Sequence, residues 1–185
     1  MPAWGWVVVA VLIIALVAAV LIYNRLVALR NRVDNGWSQI DVQLRRRYDL
    51  IPNLVRTVQG YAAHERGLFE SVTEARARAI DASAVADQAD AENKITQGLR
   101  KLMAVAEAYP DLKANQAFLA LQEELTGTES KIAYARQFYN DQVMRLNTLI
   151  SSFPSSVIAG TFGFREREFF DIEDPARAPA TVEFS

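Results

Sequence analysis

The sequence contains no cysteine and a single histidine, His64, in 185 residues. The first absence removes disulfides, thiolate metal sites and cysteine nucleophiles together, and it fits a reducing compartment. The second excludes multi-histidine metal clusters, an H-E-x-x-H protease and the paired Glu-x-x-His sites that di-iron proteins build on helical bundles. A histidine-based triad would have to use His64, yet the serines are scattered and no G-x-S-x-G elbow occurs. Beside Glu65, His64 reads as a partly exposed helix residue. Walker A, G-x-G-x-x-G and kinase motif sets are missing as well, which leaves nucleotide chemistry without support. Neither sign of charge is in excess: 20 basic and 22 acidic residues give a net charge of -2, which argues against a dedicated nucleic-acid binder. Carboxylates such as Glu123, Glu124, Glu129, Glu166 and Glu168 read as solvated helix faces, because acid–base work needs a cleft and a raised pKa. No cofactor, metal or small-molecule substrate is expected.

What the sequence does have is a long apolar run. From Trp4 to Tyr23 it reads WGWVVVAVLIIALVAAVLIY, about 30 Å as a helix, the hydrocarbon thickness of a bilayer. Trp4, Trp6 and Tyr23 stand at its two ends, where amphipathic rings prefer the headgroup level. A cleaved signal peptide is the alternative. It needs a basic n-region and a shorter apolar core closed by an A-x-A-like site; here no charged side chain precedes Trp4, the core is longer, and no such site closes it. An uncleaved anchor over residues 1–23 is therefore expected. Arg25, Arg30 and Arg32 follow the span with no acid before Asp34, and no Lys or Arg precedes it. The positive-inside rule then predicts an outside N-terminus and a cytoplasmic bulk, in a cell membrane crossed once. These arginines would lie near anionic headgroups, each adding about 1 kcal/mol of attraction. Ala15 and Ala19 form the one small-xxx-small pair in the span, a weak signal for helix association in lipid.

Beyond Tyr23 the apolar positions Leu26, Leu29, Val33, Trp37, Ile40, Leu44, Tyr48 and Ile51 recur at spacings of 3 and 4. This is an 11-residue repeat that keeps one seam on one face of a nearly straight helix. Gly36 falls inside it at a cost of about 1 kcal/mol relative to Ala, for which close approach of a neighbouring backbone is one reason. Pro52 lacks an N–H and disfavours the helical region for Ile51, so the first helix is expected to end or kink there. The expected helices cover residues 24–51, 52–80, 88–109 and 114–153. The second presents Leu54, Val58, Tyr61, Ala62, Leu68 or Phe69, Val72, Ala75 and Ala79; the third Ile95, Leu99, Leu102, Ala106 and Tyr109; the fourth a stripe from Phe118 through Leu125, Thr128, Ile132 and Tyr139 to Ile150. No stretch reads as a sheet. The fold class is all-α: one N-terminal transmembrane helix continuous with an antiparallel up-and-down bundle over 24–153.

The tail, 154–185, is apolar and glycine-punctuated to Phe164, mixes charge with aromatics to Phe170, and ends acidic and proline-containing. Val182 and Phe184 order it only by docking. Phe162, Phe164, Phe169 and Phe170 either dock back on the bundle or contact a partner. In the triplet Arg45-Arg46-Arg47, three successive positions about 100° apart cannot all face water beside a seam at Leu44 and Tyr48. Arg45 has Asp41 and Asp49 at four-residue spacing, so a structural ion pair competes with an anion site there.

The stretch NRVDNGWSQIDVQLRRRYDLIPNL from Asn31 to Leu54, the following VRTVQGYAAHE, the segment Leu121 to Glu129 and the run from Phe153 to FGFREREFF resemble the LemA family of bacterial membrane-anchored proteins. They span nearly the whole chain in the family's order. The resemblance implies one N-terminal membrane helix, an antiparallel bundle of long helices facing the cytoplasm, and no established activity. The expected function is a non-enzymatic membrane scaffold or adaptor, with the lipid bilayer and a second copy or another membrane protein as partners. The alternative is a ligand sensor or weak enzyme using Asp, Glu and Arg in a bundle cavity.

Overall fold

The computed structural model describes residues 3–171. Six helices occur in this stretch: α1 (Ala3–Gln59), α2 (Arg66–Asp81), α3 (Val85–Glu107), α4 (Pro110–Lys113), α5 (Gln116–Ser151) and α6 (Ser155–Thr161). The described residues contain no strand, and the chain is all-α. Its contacts group into two compact units. The first comprises residues up to Val42 with Ala133–Phe169, and the second Gln43–Ile132 with Phe170 and Asp171.

In the first unit α1 and α5 run antiparallel. The large apolar side chains from Trp4 to Leu21 are all exposed, whereas Leu26, Leu29, Val33 and Ile40 are buried. The same helix thus changes from an all-round apolar surface to a one-sided seam just past Tyr23. Gly36 faces Tyr139 on α5, where an added Cβ would stand 3.2 Å from the Tyr139 Cα. Close backbone approach therefore explains the glycine. α5 contributes Ala135, Tyr139, Val143 and Leu146 to this core.

In the second unit α1 continues through Pro52, where the sequence led us to expect a break. Proline removes the N–H that would bond the carbonyl of Tyr48, one turn back. Arg76 on α2 supplies the missing donor, its Nε bonding the Tyr48 carbonyl oxygen at 2.7 Å. The helix ends later, at Gln59, and α2 begins only at Arg66. Of the two candidates at its start, Phe69 is the buried one. α2 packs antiparallel on α3 with Gly98 against Val72, so closely that a Cβ at Gly98 would lie 2.7 Å from the Val72 Cγ2. α3 buries Ile95, Leu99, Leu102 and Ala106 as its periodicity predicts. Pro110 opens the short α4, and Asn115 starts α5 by accepting the N–H groups of Ala117 (2.9 Å) and Phe118 (3.2 Å), an N-cap.

Past α5 the chain turns at Pro154 into α6, which closes with a Schellman turn. Phe164 N–H bonds the Ala159 carbonyl at 2.9 Å and Gly163 N–H the Gly160 carbonyl at 3.4 Å, with Gly163 at φ 69°. Residues 165–169 then lie extended along the first unit. Asn147 clamps Arg167 from both sides, donating from Nδ2 to its carbonyl and accepting its N–H, each at 2.9 Å. The Tyr139 hydroxyl donates to the Glu168 carbonyl at 2.9 Å, and Arg167 pairs with Asp34 at 2.9 Å. Val182 and Phe184 lie outside the described residues.

Candidate functional site

Two constellations stand out, one in each unit. In the first unit Tyr23, the last residue of the apolar run, collects the aromatic rings of the tail. Its ring centroid lies 4.8 Å from that of Phe162 and 5.9 Å from that of Phe164. The Schellman turn is what returns Phe164 to this position, and Arg30 stacks over its ring at 5.5 Å. Trp4 and Trp6 mark the other end of the run and are exposed, as are Arg25, Arg30 and Arg32. Beside this collar a groove of about 450 Å³ opens between α1 and α5. Arg25, Ala28, Leu29 and Arg32, spaced for one helix face, form one wall; Met144, Arg145, Thr148, Leu149 and Ser152 form the other. The hydroxyls of Thr148 and Ser152 donate to the carbonyls of Met144 and Thr148 on α5.

The four tail aromatics differ in exposure. Phe162 and Phe169 are exposed, Phe164 is half-buried, and Phe170 is fully buried and so offers no surface to a partner. Burial pushes the pKa of Tyr139 above its ordinary value, with Arg167 opposing and Glu168 and Asp34 adding to the rise.

In the second unit a buried polar cluster gathers around Arg47, itself 1% exposed. Its Nη2 donates to Glu92 Oε2, and its Nη1 to both oxygens of Glu129, at 2.8 and 3.0 Å, and to Thr96 Oγ1 at 3.4 Å. The Tyr48 hydroxyl donates to Glu92 Oε1, and Gln88 Nε2 donates to both the Tyr48 hydroxyl (2.8 Å) and Glu92 Oε1 (2.9 Å). Glu92 is fully buried and thereby accepts three donors. Arg47 Nε has no hydrogen-bond partner among the described residues. Of the arginine triplet, Arg47 is the one that turns inward, while Arg45 and Arg46 are exposed. Arg46 makes only a surface pair with Glu124 at 2.8 Å, of little energetic weight.

Sequence reasoning singled out Arg45 and passed over Glu92 and Gln88. A signal was there: carrying the stripe of Ile95 and Leu99 one and two turns toward the N-terminus lands on Glu92 and Gln88, polar residues at core positions. Thr128, read as part of the α5 stripe, is indeed buried.

The fold is that of a membrane-associated, all-helical protein in which, among the described residues, one apolar helix is long enough to cross a bilayer. The LemA family profile matches residues 36–184, and the chain belongs to that family. Magnetosome proteins MamQ 2 and MamQ 1 of Paramagnetospirillum magneticum are each 27% identical to it, over 95% of this chain and 74% of their own length. Magnetosome protein MamQ of Magnetospirillum gryphiswaldense is 25% identical, over 83% of this chain and 66% of its own length.

Proposed function

We propose that this protein is a single-pass membrane scaffold or adaptor, its folded part on the cytoplasmic side, acting by self-association or contact with other membrane proteins and not by catalysis. Residues 1–23 serve as anchor, 24–153 as helical bundle and 154–185 as tail. The observation that carries the reading is α1, in which an exposed apolar surface from Trp4 to Leu21 passes without interruption into a buried seam. A lipid-crossing segment and a folding element are thus one helix. The arginines just past Tyr23, Arg25, Arg30 and Arg32, support the cytoplasmic side. The relatives are named as magnetosome proteins, which is compatible with a membrane-associated role.

Of the tail aromatics among the described residues, Phe162 and Phe169 are the exposed ones left for a partner, because Phe170 is withdrawn into the interior. A ligand-sensing or catalytic bundle would need the convergent Arg47, Glu92 and Gln88 to face a ligand. They face one another. Crosslinking in native membranes tests the proposal: wild type should give discrete higher-mass adducts that weaken when Phe162 and Phe169 are both replaced by Ser. Recovery of monomer alone, with no second protein enriched, would sink it.

A further inference from the structure

The groove beside Tyr23 combines features that its place in the fold does not require. Arg25, Arg32 and Arg145 line it from two helices, all three exposed, and none has a hydrogen bond or ion pair among the described residues. No acidic side chain lines the groove, and its apolar lining includes Leu29, Leu149 and Met144. Elsewhere on the first unit an arginine with an acid in reach uses it, as Arg167 does with Asp34. Three uncompensated guanidinium groups beside an apolar lining complement a phosphate attached to a hydrocarbon chain.

Position decides between a lipid and a soluble anion. Arg25 stands two residues past Tyr23, about 3 Å along the helix axis, within a headgroup layer of roughly 5–8 Å. Arg32 lies about 14 Å beyond Tyr23 on the same face, from where a long side chain reaches back toward the interface. The far wall reaches the same level, since Ser152 lines the groove together with Arg25. Phe162, packed on Tyr23, marks that level from the tail. We infer that this groove is a binding site for an acidic phospholipid. The phosphate sits among Arg25, Arg32 and Arg145, and an acyl chain runs from the apolar lining into the bilayer. The inference rests on the reading of residues 4–23 as a membrane span, and it gives Arg145, far from the span in sequence, a part in lipid contact.

The test uses the full chain in detergent, with native mass spectrometry of one-to-one adducts with phosphatidylglycerol and with phosphatidylcholine. Wild type should retain phosphatidylglycerol preferentially. Arg145→Gln should lower that preference by about fivefold, the worth of one arginine near anionic lipid. Arg145→Lys should fall between the two, and the charge-matched control Lys113→Gln should match wild type. An Arg145→Gln protein with undiminished preference overturns the site. So does displacement of the lipid adduct by equimolar inorganic phosphate, which would assign the groove to a free anion. Flotation with phosphatidylcholine vesicles separates this from the anchor itself. A wild type that floats yet shows no headgroup preference removes the groove alone, whereas one that fails to float removes the membrane span on which it rests.

Discussion

Arg47 illustrates how a single side chain is fixed by elements remote in sequence. Its guanidinium is held by Glu92 on α3 and Glu129 on α5, and all of its neighbours in the buried core of the cluster are hydrogen-bonded. Removing one member leaves an uncompensated charge away from water, whereas removing both leaves an apolar gap that can repack. We expect Arg47→Met and Glu92→Leu each to lower unfolding free energy by about 3–5 kcal/mol, and the double variant to lose much less than the sum. Denaturant unfolding of the three variants against wild type measures this, and strictly additive losses would contradict the pairing. The choice of Arg47 over Arg45 was not legible in the chain. Asp41 and Asp49 lie at helical spacing from Arg45 and are visible locally, whereas Glu92 and Glu129 come into reach only once three helices have packed.

At the scale of elements, α1 shows both what periodicity reveals and where it stops. The seam from Leu26 to Ile51 was legible because each apolar residue reports its own side of the helix, and the buried set follows it. The passage through Pro52 was not, because proline's penalty is local while its relief comes from Arg76 on another helix. If Arg76 replaces the donor that proline lacks, the two residues should be energetically coupled. Arg76→Met should cost about 1–3 kcal/mol in the wild type, the penalty for orphaning a buried carbonyl. In a Pro52→Ala background, where residue 52 can donate its own N–H, the same change should cost clearly less. Thermal unfolding of the four proteins gives the coupling, and equal costs in both backgrounds would refute it.

For the whole molecule, membership of the LemA family and the apolar span were legible because each rests on contiguous stretches of sequence. The division into two units was not: it falls at Val42–Gln43 and Ile132–Ala133, inside α1 and α5, where no change of composition marks it. The proposed topology makes a direct prediction that the absence of cysteine renders simple to read. A single cysteine introduced at the exposed Ser83 should resist a membrane-impermeant maleimide in intact spheroplasts and react once they are permeabilised. Labelling before permeabilisation would place the folded part on the other side.

The bond from Arg76 to Tyr48 also constrains the order of events during synthesis. Its donor is translated 28 residues after its acceptor. The distal end of the first helix therefore stays one rung short until a later stretch of polypeptide arrives to complete it.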